Sequence, residues 1–98
     1  MGNSLKSARF LIESRLRDAA RGDYNACYDL GIVYSSGAEG VDIDMIEAHK
    51  WFNIAAMSGD ERAKDCRAEI SEDMSAREII EAQKSARAWL SETQRRAA

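Results

Sequence analysis

The stretch from Asp23 to Gly59 most constrains what this chain can fold into, because it carries the start and stop signals of two successive helices. Asp23 stands where a carboxylate accepts hydrogen bonds from the orphan amides of a first helical turn. Ala26, Leu30, Val33 and Tyr34 follow at i, i+4, i+7 and i+8, an apolar stripe of helical period. Gly37 and Gly40 supply positions at which the backbone takes positive φ and turns back. Asp44 then caps a second helix whose inward face is Ala48, Trp51, Phe52 and Ala55, and Gly59 ends it. The spacing predicts a helical hairpin over 23–59.

Ala26, the pair Leu30 and Gly31, and Tyr34 lie on the first helix; Gly37, Gly40, Val41 and Asp44 form the turn; Ala48, Trp51, Ala55, Ala56 and Gly59 complete the second. In order and spacing these residues resemble the Sel1-like repeat of bacterial type, a relative of the tetratricopeptide repeat. The resemblance covers one full repeat, a little over a third of the chain. It implies an all-α fold, a short right-handed solenoid of α-hairpins, and a non-enzymatic role in binding proteins. The small residues also have a direct physical reason. Gly31, Ala48, Ala55 and Ala56 let helix axes approach closely, while Trp51 and Tyr34 fill the remaining space.

At 98 residues and 45% hydrophobic content, one domain over 1–98 is expected, and the absence of proline and of Val/Ile/Thr-rich runs points to helices, about five in the reading that follows. Residues 1–22 read as an N-terminal cap helix, 23–59 as the full repeat and 60–94 as a divergent C-terminal hairpin. The cap helix, over Ser4 to Arg21, places Leu5, Ala8, Ile12, Leu16 and Ala19 on one face, with Phe10 off the stripe and Glu13 paired to Arg17 outside. Gly59-Asp60 repeats Gly22-Asp23 after 37 residues, and Ala63 falls where Ala26 did. Arg67 and Ser71, however, replace Leu30 and Tyr34, so the helix over Asp60 to Asp73 keeps its cap but retains only Ala63, Cys66 and Ile70 as core. Ser75 and Glu78 form a capping box. It opens a final helix with Ile79, Ala82, Ala86, Trp89 and Leu90 inward and Arg95 to Ala98 frayed.

Chemistry is sparse. The net charge of -3 argues against nucleic-acid binding, which needs a basic face. No signal peptide or apolar span is visible, and two cysteines are too few for a disulfide framework, so a cytoplasmic setting away from membranes is expected. Cys27 and Cys66 lack metal-ligand spacing and read as structural thiols. The single histidine, His49, has no converging catalytic or metal partner, since Glu47 and Asn53 point to different faces. It reads as a surface residue because the stripe of the resembled repeat uses Ala48, Trp51 and Ala55. The turn at Gly37 and Gly40 lacks a phosphate-loop Lys-Ser/Thr, and its carboxylates lack EF-hand spacing. No catalytic, cofactor-binding or metal-binding residues are assigned, and no enzyme is expected.

What remains is surface. In tetratricopeptide-like hairpins the first helices line a groove that takes a partner. Opposite the apolar stripe the first helix presents Asn25, Tyr28, Ile32 and Ser35; one period later the chain presents Arg62, Asp65, Glu69 and Glu72. These eight residues are the candidate partner-binding face, with Tyr28 as aromatic anchor. Its acidic half suits a protein partner with a basic segment, and self-association is compatible with the same features. The leading expectation is an adaptor. The alternative is a small stand-alone inhibitor, such as a phage or mobile-element anti-defence protein, that occludes one target.

Overall fold

The computed structural model describes residues 4–97, and side chains over 7–96; residues 1–3, Ala98 and the Leu5 side chain expected on the cap helix's inward face lie outside that description. Five α-helices follow in order: α1 (Ser4–Ala20), α2 (Tyr24–Ser36), α3 (Met45–Met57), α4 (Glu61–Ser71) and α5 (Ala76–Ala97). A single 3-10 turn, Ala38–Gly40, lies between α2 and α3. The described residues contain no strand, and the fold is all-α.

Each predicted start signal is satisfied by a hydrogen bond. Asp23 accepts from the Asn25 amide at 3.0 Å, Asp44 from Glu47 at 3.1 Å, and Asp60 from Arg62 at 3.0 Å and Ala63 at 3.3 Å. The capping box closes reciprocally: the Glu78 amide donates to Ser75 Oγ at 3.1 Å and the Ser75 amide to Glu78 Oε1 at 2.8 Å. Gly37 takes φ 72° and donates its amide to the Val33 carbonyl, which ends α2. The Asp44 amide, donating to the Tyr34 carbonyl at 2.9 Å, ties the returning chain to α2.

Packing then runs from α1 to α2, α2 to α3, and α3 to both α4 and α5. Helix α3 is therefore the centre of the molecule. Its Ala48, His49, Trp51, Phe52, Ile54, Ala55 and Ala56 are all buried. Removing Trp51 and Phe52 from water contributes about 2–3 kcal/mol each. The α2–α3 approach is close enough that a Cβ added at Gly31 would lie 2.5 Å from the Phe52 ring. On the other side of α3, the Trp89 indole of α5 meets Trp51 edge-on, with centroids 5.1 Å apart, and Trp51 Nε1–H donates to Glu47 at 3.1 Å. Helix α5 is seated on α3 and makes no comparably close backbone packing with α4.

The first and last helices differ in detail from the sequence reading. Leu16, expected on the inward face of α1, is exposed. Ala8 and Ala19 are the buried positions of α1, and Leu16 falls to one side of the line they make along the helix. The final helix, expected to end in a frayed stretch from Arg95, is helical through Ala97, with Glu92 pairing to both Arg95 and Arg96 one turn on.

Candidate interaction surface

The period of 37 residues brings α2 and α4 side by side at one point, and Arg62 makes the bridge. Asp60, held by its capping role, accepts from Arg62 Nε at 3.1 Å and Nη2 at 2.8 Å, a two-point contact that fixes the guanidinium plane. That plane lies over the Tyr28 ring, with the guanidinium carbon 4.0 Å from the centroid. Arg62 Nη2 also donates to Asn25 Oδ1 at 3.3 Å. Beneath, the Tyr28 ring is tilted 54° against Phe52, with centroids 5.9 Å apart. Arg62, Tyr28 and Phe52 thus form a layered stack from solvent to core across α4, α2 and α3.

The electrostatics follow from this geometry. The guanidinium hydrogen bond, more than any other contact, holds the Asp60 carboxyl below the usual carboxylate range. Burial first, and then the adjacent Cys66, push the Tyr28 phenol up, with Arg62 opposing. Tyr28 is therefore a neutral hydrogen-bonding group on a half-buried aromatic platform.

Of the eight candidate residues, Asn25, Tyr28 and Arg62 come together directly. Ile32 is half-buried and packs against the core, so it contributes an edge rather than a free apolar side chain. Ser35 is also half-buried, and its hydroxyl donates to the Ile32 carbonyl at 3.2 Å. Asp65 and Glu69 on α4, and Glu72 at its C-cap, are exposed and carry no ion pair among the described residues. The face therefore has a structured aromatic half and an open acidic half. Tyr28 is shielded by Arg62 of α4, while α1 is held to α2 by a different contact, Arg15 to Asp29 at 3.3 Å.

His49 is not a surface residue: it is 2% exposed. Its cover comes from the two positions at which the second period departs from the first. Ser71, in place of a tyrosine, donates its hydroxyl proton to the Arg67 carbonyl at 2.7 Å and so must accept the His49 Nε2–H at 3.1 Å. Arg67, in place of a leucine, turns its guanidinium to Asn53 Oδ1 at 2.6 Å. His49 Nδ1 is left buried without a hydrogen-bond partner. Burial, with the Arg67 charge adding, lowers the His49 pKa, so the imidazole is held neutral. The signal was present in the sequence as two polar replacements on α4, but linking them to His49 requires the α3–α4 seam.

Both cysteines are free, Cys27 buried and Cys66 half-buried beside Tyr28. Among the described residues no group of three or more His, Cys, Asp or Glu side chains is placed to hold a metal ion. No described helix is long and apolar enough to cross a membrane. An open cleft of about 360 Å³ lies between α1 and α5, lined by Ala20, Trp89, Glu92, Thr93 and Arg96. Comparison with protein-family models, curated proteins and solved structures finds no match to this chain.

Proposed function

We propose that this chain is a non-enzymatic protein-interaction module, a short Sel1-like stack of helical hairpins that takes its partner on the α2–α4 face. The observation that carries the reading is the Arg62–Tyr28 stack, which joins the first helices of two successive periods into one surface. An aromatic ring and an arginine, both partly solvated and held in fixed orientation, are the residue types that dominate binding energy at protein interfaces. Unpaired carboxylates at Asp65, Glu69 and Glu72 border them and favour a partner with a basic segment, chiefly through faster encounter. The same surface serves an adaptor or an inhibitor that occludes its target. Two first helices suffice for one partner segment, which favours a single partner over a multi-protein scaffold.

The test is affinity capture from the native host with the wild type and with Glu69→Lys/Glu72→Lys, followed by mass spectrometry. A protein retained by the wild type and depleted in the variant is the expected result. Equal recovery of every retained protein by both contradicts the assignment of the acidic half.

A further inference from the structure

Helix α1 buries one side against α2 and leaves the opposite side uncovered. Phe10 is 68% exposed there, with Arg17 seven residues on along the same face and Arg9 beside it. Both arginines are exposed, and neither forms an ion pair among the described residues, so the pairing expected of Arg17 with Glu13 is not made. Glu13, exposed four residues from each arginine, shares this face and leaves the trio with a net positive charge. At the other end of the row α1–α2–α3–α4, helix α4 and its C-cap turn Asp65, Glu69 and Glu72 outward. Ala68, also exposed, lies three residues after Asp65 and four before Glu72, so an uncharged step sits among the carboxylates. Arg9 and Arg17 are separated by about 12 Å along their helix axis, and Asp65 and Glu72 by about 10 Å. The two faces are opposite in net charge, similar in spacing, and each without an ion-pair partner among the described residues.

We propose that the partner of the acidic α4 face is a second copy of this chain, whose α1 supplies both the basic segment and the apolar anchor. This rests on the reading of the α2–α4 face as a binding surface. Arg9 and Arg17 of one copy meet the carboxylates of the next, and Phe10 seats on Ala68. Because the two faces lie at opposite ends of the row, the contact is head-to-tail. It leaves a donor and an acceptor face free at the ends and extends beyond a dimer unless a ring closes.

The test is sedimentation equilibrium of the full chain, with folding of every variant checked by circular dichroism. At about 10 mM salt, where charges act over roughly 30 Å, the weight-average mass should rise with concentration above the 10.9 kDa monomer. At about 1 M salt, with a screening length near 3 Å, it should fall toward 10.9 kDa. Arg9→Glu/Arg17→Glu and Glu69→Lys/Glu72→Lys should each remain monomeric alone, and their equimolar mixture should associate again. A monomeric wild type at low salt, association persisting in either variant alone, or a mixture that stays monomeric overturns the proposal. A monomeric wild type that still loses a captured partner through Glu69→Lys/Glu72→Lys overturns self-docking alone and leaves the α2–α4 face as the partner site. Failure of both experiments removes the face as well.

Discussion

Gly31 of α2 and Phe52 of α3 are in such close register that a Cβ at Gly31 would stand 2.5 Å from the ring atoms Cδ1 and Cε1. Because Phe52 is itself buried, the ring has no free space into which to retreat. Gly31→Ala gains about 1 kcal/mol in helix propensity, but overpacking of the seam costs more. The expected net loss is about 1–2 kcal/mol by urea denaturation. Combining it with Phe52→Leu should cost less than the sum of the two single changes, because the smaller side chain yields the space. Strict additivity would contradict direct contact.

Trp51 joins two seams at once, facing Trp89 of α5 while lying within the α3 core. Trp51→Ala should cost about 3–5 kcal/mol, enough to unfold much of a domain of this size. A circular-dichroism melt showing a nearly unchanged midpoint would contradict the central place of α3.

The buried neutral His49 makes stability fall in mildly acidic solution. Its folded-state pKa is depressed, by burial and then by Arg67, below the ordinary value of about 6.5 that applies to the unfolded chain. Between the two values the unfolded chain binds more protons. The stabilisation is therefore complete above about pH 6.5 and is lost as pH falls toward the folded value. His49→Gln, which keeps a donor for Ser71 but cannot titrate, should flatten the stability profile in that window. An identical pH dependence in variant and wild type would contradict it.

The thiols should differ in reactivity. Burial, with the Asp23 carboxylate adding, pushes the Cys27 thiol up to about 12, and Cys66, half-buried, is raised chiefly by desolvation. In native protein a colorimetric disulfide reagent should label Cys66 first and reach Cys27 only on the timescale of opening. Equal rapid labelling of both would contradict the buried position of Cys27.

How far the sequence reached can be judged from these residues. Caps were legible because they are local: Asp23, Asp44, Asp60 and the Ser75–Glu78 box need only the next three residues to act. The first-period stripe was legible because Ala26, Leu30 and Val33 recur at helical spacing, and all three are buried. His49 was misread because its burial depends on Ser71 and Arg67, 22 and 18 residues away, which replace apolar residues with polar ones that point inward. The seat of α5 was equally non-local: an apolar face on Ala82, Ala86 and Trp89 states that something is covered, not which helix covers it. For the candidate face, Tyr28 and Arg62 stand out singly in the sequence, but the stack of one on the other depends on a contact 34 residues apart.

Binding at the α2–α4 face is tested most directly by surface plasmon resonance of a captured partner against the wild type, Tyr28→Ala and Glu69→Lys/Glu72→Lys, each confirmed folded by circular dichroism. Tyr28→Ala should weaken binding by roughly 1–3 kcal/mol, mostly through faster dissociation. The double charge reversal should slow association most at low salt and lose that effect as salt rises. Wild-type kinetics in both variants, with the fold intact, would contradict the face as the site of binding.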